Sequence, residues 1–334
     1  MTRVAIIGTG LIGASIGLGL REQADKKTIE IVGYDRNSQR ARAAERRDAI
    51  DKRENSALAA VADASLVVIS TPILAMREVM QEISSTLMPG AVVTDTGSTK
   101  GEVMGWAREL LPDRVHFVGG HPMAGKTEVG ADHADPKLFD GARWVVVPTR
   151  QASQAAVETV TGFAAGLGAR PMFMDPDEHD AYVAAVSHLP MLAAGALFRL
   201  THDSEAWPEL SMLASSGFRD TTRLAGTDEQ MAHDIALTNR DQVIHWLQRY
   251  RGAIYNLEDQ LSNLEGDEEL LEWFAKLNFD YLGFKEGQIG RVEIDQQREL
   301  PDISITDMFM GGALADRLRQ LTDRARETDP NRRR

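Results

Sequence analysis

The sequence predicts an α/β fold, with a parallel-sheet domain in the first half of the chain and an all-helical domain in the second. Three observations carry this. Short apolar runs alternate with amphipathic stretches through the first half, and strands alternating with helices imply parallel β-α-β units. Three glycines follow directly on the first apolar run. Beyond the polar, proline-containing stretch "DPDEHD" the segments become long, rich in Ala and Leu, and helical in period. The boundary therefore falls at that stretch, dividing the 334 residues into 1–174 and 175–334.

The expected strands are Val4–Ile7, Ile29–Gly33, Leu66–Ser70, Ala91–Thr94, His116–Val118, Arg143–Val147 and Arg170–Met174, with helices such as Leu74–Leu87 and Glu102–Leu110 between them. In the second half, Val243, Leu247, Ile254, Leu257 and Leu261 recur at helical spacing. Long amphipathic helices of this kind pair across a two-fold axis, so a homodimer is expected. The end, "ARETDPNRRR", reads as a polar, frayed tail.

Composition narrows the class. Hydrophobic residues make up 43%, enough for a sizeable core, and the net charge of -13 excludes a nucleic-acid binder, which needs clustered Lys and Arg. There is no cysteine, hence no disulfide framework or thiolate site. No signal peptide is seen, and no run of about 18 apolar residues, so a membrane span is not expected. A cytoplasmic location follows.

The spacing Gly8-x-Gly10-x-x-Gly13 after a strand and at the start of a helix is the Rossmann fingerprint for a dinucleotide. Gly8 allows the tight turn, Gly10 lets a pyrophosphate approach the backbone, and Gly13 lets the helix lie close to the sheet. Leu11 and Ile12 would then offer helix N-terminal N–H groups to the phosphates. The second strand ends in Asp35, 22 residues after Gly13, where a carboxylate binds the ribose hydroxyls. Asp35 favours NAD by repelling a 2′-phosphate. Arg36 and Arg40 keep NADP open. Thr71-Pro72, after the next strand, reads as a helix start capped by Thr71 with Pro72 at its first position, and equally as lining of the cofactor pocket.

The chemistry is expected at later strand ends. In "DTGSTKGEV", Thr99 and Glu102 form a capping box, which frees the Ser98 hydroxyl for the crevice. In "VHFVGGHPMAG", His121 falls just past its strand. An imidazole there can take a proton from a substrate hydroxyl as hydride leaves the same carbon. His188 lies in the apolar helix "AAVSHLPML", which Pro190 perturbs. Arg219 and Arg223, four residues apart in "GFRDTTR", share a helix face and suit a carboxylate-bearing substrate. No metal site is expected, since the histidines lack ligand spacing.

Taken together, "GTGLIGAS", "DTGSTK", "GGHPMAG", "SHLP" and "GFRDTTR" resemble, in order and spacing, the prephenate and arogenate dehydrogenases of tyrosine biosynthesis, over roughly residues 1–265. The resemblance implies a Rossmann domain followed by a helical dimerisation domain, and oxidative decarboxylation of a cyclohexadienol acid. It implies His121 as the base for the ring hydroxyl. Ser98 would bond that histidine or the hydroxyl. His188 would contact substrate, and Arg223 would hold a carboxylate with Arg219 close by. Two departures stand out. Some members have a histidine three residues after that of "SHLP", where this chain has Met191, and the loop after "HPMAG" reads "KTEVGAD". Prephenate and arogenate therefore both remain as substrates. The segment after Leu282 looks too short for a complete regulatory ACT domain, which implies feedback at the active site. A β-hydroxyacid dehydrogenase would need a lysine near the domain boundary, and the chain has none between Lys137 and Lys276. A dinucleotide sensor would not need His121, Ser98 and Arg223 together.

Overall fold

The computed structural model describes residues 2–126, 128–263 and 268–287. β1 (Thr2–Ile7) leads through the glycine turn into α1 (Leu11–Gln23). There follow β2 (Ile29–Tyr34), α2 (Ser38–Arg46), the short β3 (Lys52–Arg53), α3 (Ala57–Val61), β4 (Leu66–Ile69), α4 (Ile73–Ile83), β5 (Val92–Asp95), α5 (Gly101–Leu110) and β6 (His116–Pro122). β7 (Arg143–Pro148), α6 (Gln154–Gly166) and β8 (Arg170–Phe173) complete the sheet. Next come α7 (Pro176–Val183), a π-helical turn (Ala184–His188), α8 (Leu189–His202), α9 (Trp207–Leu213) and α10 (Ser216–Thr222). A 3-10 turn (Arg223–Gly226), α11 (Glu229–Thr238), α12 (Arg240–Ser262) and α13 (Glu268–Lys285) end the described chain. The polar tail and most of the segment after Leu282 lie outside the described residues. Described residues up to Gln242 form one compact unit, and those from Val243 form a second.

The sheet order is β3-β2-β1-β4-β5-β6-β7-β8. β1 to β6 pair in parallel, as expected. The far edge corrects the expectation of a parallel sheet throughout: β7 runs antiparallel to β6, and β8 follows β7. The reason is the connection. The loop of residues 123–142 contains no crossover α-helix, and only a crossover obliges the next strand to run parallel.

Both faces of the sheet are covered, which explains the unbroken apolar runs. Val4, Ile6, Leu66 and Val68 pack with α1 and α6 on one side. Ala5, Ile7, Val67 and Ile69 pack with α3, α4 and α5 on the other. Each fully buried aliphatic side chain contributes about 1.5–3 kcal/mol. Met191 of α8 and Ile235 of α11 join the second layer, so the helical segment packs on the sheet domain. The strand order reverses between β1 and β4, and ligands in such sheets sit outside the carboxyl ends at that point.

Two helix starts differ from expectation. Thr99 does not cap α5; its hydroxyl bonds that of Thr238 at 2.8 Å. The cap comes from α7 instead, where Asp180 accepts the N–H groups of Lys100 (2.7 Å) and Gly101 (2.8 Å). At α4, Pro72 occupies the cap position itself and Thr71 makes no cap bond. Here the buried Asp234 of α11 accepts Leu74 N–H at 3.1 Å. The expectation that no segment could span a membrane is also corrected. The helical run Pro176–His202 is long and apolar enough by length and composition. Counting consecutive apolar residues missed it because His179, Asp180 and His188 interrupt the run. Those three side chains are buried and hydrogen-bonded within the first unit.

Asp234→Ala should lower the free energy of unfolding by about 1–3 kcal/mol, the usual loss for a buried charged acceptor. Urea denaturation checks this, and an unchanged midpoint would show that the carboxylate does not hold α4.

Candidate active site

The site is built from the glycine turn outward. Gly8 has φ +95°, and a Cβ on it would lie 2.3 Å from the Ser70 carbonyl oxygen. A Cβ on Gly13 would lie 2.0 Å from the Gly8 oxygen, whereas one on Gly10 would meet nothing within 4 Å. Turn, close helix approach and open approach are therefore divided among the three glycines as the sequence implied. The first helical bond of α1 is from Ala14 N–H to the Gly10 oxygen, at 3.0 Å. The N–H groups of Leu11, Ile12 and Gly13 precede it and have no partner within the helix. Gly10, the cap residue of α1, offers no side-chain cap.

Gly10, Leu11, Ile12, Thr71 and Pro72 line a cleft of about 840 Å3, together with Ser98, His121, Ser187 and Arg223. The Thr71 hydroxyl is buried and unpartnered among the described residues. An open helix N-terminus beside an orphan hydroxyl fits a dinucleotide. Asp35 is half-buried and already tied to the turn: Oδ2 accepts Thr9 N–H at 2.9 Å and Oδ1 accepts Asn37 N–H at 2.8 Å. Arg36 is exposed, and Arg40, not Asp35, reaches the cleft.

Ser98 and His121 stand at neighbouring strand ends, held by a fully buried ion pair. Asp95 Oδ2 accepts from Lys100 Nζ at 2.5 Å and from Gly97 N–H at 2.7 Å, while Oδ1 accepts Gly120 N–H at 3.1 Å. This ties the turn carrying Ser98 to β6. His121 does not lie past its strand. β6 continues through both glycines, and His121 pairs with Val145 of β7. The return strand β7, invisible in the local pattern, extends the ladder. The Ser98 hydroxyl makes no bond to His121 and has no partner among the described residues.

Instead His121 Nδ1 lies 2.8 Å from Nε2 of His179, whose Nδ1 lies 2.8 Å from Asp180 Oδ1. Burial, then His179, Lys100 and His188, hold the His121 pKa well below the ordinary 6.5, so the ring is neutral at pH 7. His188 closes the π-helical turn before Pro190, the local disturbance that the proline predicts. It does not line the cleft; Ser187 does. The His188 ring is 1% exposed, its Nδ1 accepts from Asn239 Nδ2 at 3.2 Å, and burial pushes its pKa down to about 4. Arg223 lines the cleft, but Arg219 is exposed and does not. α10 ends at Thr222 and Arg223 opens a 3-10 turn, so the two arginines do not share one helix face. Met191 is packed in the core rather than in the cleft.

His179, Asp180, Lys100 and Asn239 were not singled out by the sequence. The first two sat in "DPDEHD", read only as a boundary. The one available signal was a histidine and a carboxylate side by side just ahead of an apolar helix.

Fold and cleft define a dinucleotide-binding protein of the Rossmann class with a buried histidine at the reaction end. The chain belongs to the prephenate dehydrogenase family: residues 16–173 match its nucleotide-binding domain and residues 175–276 its dimerization domain. The prephenate dehydrogenase of Bacillus subtilis is 36% identical over 72% of this chain, which spans 65% of that relative's length. That of Lactococcus lactis is 33% identical over 75% of this chain and 69% of its own. The crystal structure of prephenate dehydrogenase from A. aeolicus with hydroxyphenyl propionate and NAD+ matches with a TM-score of 0.78 at 29% identity, over 85% of this chain and 98% of that one. Synechocystis arogenate dehydrogenase gives 0.71 at 27%, over 86% and 100%.

His188 has its ordinary pKa of 6.5 in the unfolded chain and about 4 in the fold, so protonation favours unfolding. The stability is complete above pH 6.5 and is lost as pH falls toward 4, by up to roughly 3 kcal/mol. Denaturant unfolding across that window should show the decline, and His188→Asn should flatten it. A variant with the wild-type slope would rule His188 out as its source.

Proposed function

We propose that the chain catalyses the NAD-dependent oxidative decarboxylation of prephenate to 4-hydroxyphenylpyruvate in tyrosine biosynthesis. The observation that carries this is a neutral buried imidazole, His121, in the same cleft as the open N-terminus of α1 and the Arg223 guanidinium. Prephenate carries a ring hydroxyl and two carboxylates, and this cleft has a partner for each kind of group. The B. subtilis and L. lactis relatives support the same reading. Residues 1–174 would form the dinucleotide half and residues from 175 the substrate half. A homodimer fits the dimerization-domain match and the exposed Leu200, Met212 and Leu213. We place the enzyme in the cytoplasm.

A nicotinamide dinucleotide, when bound, supplies the hydride acceptor. The N–H groups of Leu11, Ile12 and Gly13 would hold its pyrophosphate, and Asp35, just past the end of β2, would select NAD at the ribose. NADP is the weaker alternative, through Arg36 and Arg40. Arg223 grips a substrate carboxylate with two parallel hydrogen bonds. His121 takes the ring hydroxyl proton as hydride leaves the same carbon. The ring becomes a dienone that still bears a carboxylate on its quaternary carbon. The bond to that carboxylate breaks, CO2 leaves, and its electron pair makes the ring a phenolate. His121 returns the proton to the phenolate oxygen, so no net proton is released. Aromatisation drives the second step, which leaves the protein chiefly to orient the ring and handle one proton. Ser98 would steady the reacting hydroxyl, and the buried His188, expected to contact substrate, is left a structural part in the wall.

Prephenate should reduce NAD in a steady-state absorbance assay faster than arogenate or a simple hydroxyacid. His121→Asn should bind NAD normally yet lose at least about a hundredfold in kcat; undiminished turnover would remove His121 from the role. Arg223→Ala should raise the KM for prephenate by about tenfold or more, the worth of one charged hydrogen-bonded contact, while Arg219→Ala leaves it unchanged. An unaltered KM in the Arg223 variant would overturn the assignment.

A further inference from the structure

The mechanism above uses His121 and leaves His179 without a task. His179 is wholly buried and bonded on both ring nitrogens, and a histidine so enclosed contributes little to packing that a phenylalanine would not. We propose that His179 is a positioning residue for the base, fixing the His121 ring and its tautomer by accepting the Nδ1 hydrogen. This rests on His121 being the base.

The polarity of the chain of bonds is forced from its inner end. The Asp180 carboxylate has no hydrogen to give. Its two oxygens receive the N–H groups of Lys100 and Gly101. His179 Nδ1, at 2.8 Å from Oδ1, must therefore carry the hydrogen of that bond. A neutral imidazole with hydrogen on Nδ1 has a bare Nε2. The atom facing it at 2.8 Å is His121 Nδ1, which must then be the donor. So neutral His121 carries its hydrogen on Nδ1 and keeps its lone pair on Nε2, the one ring nitrogen that His179 does not occupy. The opposite tautomer would set two lone pairs against each other at hydrogen-bond distance.

The same arrangement serves the charged intermediate. When His121 Nε2 gains the substrate proton, the positive ring donates through Nδ1 to His179, which in turn donates to the Asp180 anion. Charge forming on His121 is met by a ready-oriented chain that ends in a carboxylate. The other charged or titratable groups around His121 do not supply this. From α7 and the π turn come His179, Asp180 and His188. The β5–α5 turn brings Asp95 and Lys100, already paired with each other. Arg223 lines the cleft and is itself a cation.

The test compares His179→Phe, which removes the acceptor, with His179→Gln, whose amide oxygen can replace it. His179→Phe should lower kcat about 10- to 100-fold with the prephenate KM and the NAD dissociation constant within about twofold of wild type. His179→Gln should recover most of the lost kcat. A His179→Phe enzyme with wild-type kcat, or a glutamine variant as impaired as it, overturns the proposal. His121→Asn run alongside separates the two readings: if it too keeps turnover, the base assignment has failed. If neither His179 variant folds, nitrogen-15 NMR of histidine-labelled wild type decides. Hydrogen on His121 Nδ1 with a bare Nε2 at pH 7 supports the proposal, and hydrogen on Nε2 ends it.

Discussion

The Asp180 carboxylate is the constraint on which the site depends. It is 6% exposed and accepts from Lys100 N–H, Gly101 N–H and the His179 ring. Its backbone oxygen takes Asn239 Nδ2 at 2.8 Å, and Asn239 in turn meets His188. One residue thus caps α5, orients a buried histidine pair and anchors the π-helical turn. Two open N–H groups and the helix dipole offset the cost of burying its charge. Remove the anion and all three lose their reference point together.

That arrangement also bears on the proposed place of the dinucleotide. Three helices start beside the cleft at the carboxyl edge of the sheet: α1, α4 and α5. The second and third receive Asp234 and Asp180, buried carboxylates from the helical segment. Among the described residues α1 receives none, and its cap residue is a glycine. The helical segment therefore satisfies two of the three helix starts and leaves open the one proposed to hold the pyrophosphate. The same two contacts dock α7 and α11 against the sheet domain, which fixes Arg223 and the glycine turn as walls of one cleft.

Much of the fold was legible in the sequence because the signals were local. The glycine spacing, the apolar strand runs and the helical period after residue 175 each report on a few neighbouring residues. Strands β1, β2, β4, β5 and β8 fall within two residues of expectation. What failed was long-range. β6 overran its expected end because its antiparallel partner lies beyond a long loop. Thr99 and Glu102 had the spacing of a capping box, but Asp180, 80 residues from Lys100, took the N–H groups. Motifs flag His121 and Arg223, and both line the cleft. His179 was not flagged, since its meaning comes only from a partner 58 residues away. Arg219 was over-read: a spacing of four residues puts two side chains on one face only if a single helix contains both.

Burial ties the chemistry to the stability of the protein. An imidazole works as a base at neutral pH only if it is unprotonated, and the proposed role of His121 meets that condition because burial, with His179, Lys100 and His188 around it, keeps its pKa low. The same desolvation acts on His188, which lines no part of the cleft. His121 and His188, buried and neutral, are comfortable above the pKa of the free side chain and increasingly unfavourable below it. The pH range in which the base is ready is therefore also the range in which the fold around it is most stable. A substitution that let water in to relieve acid sensitivity would raise the pKa of His121 toward its ordinary value and weaken the differential between resting and reacting charge that the buried chain to Asp180 provides.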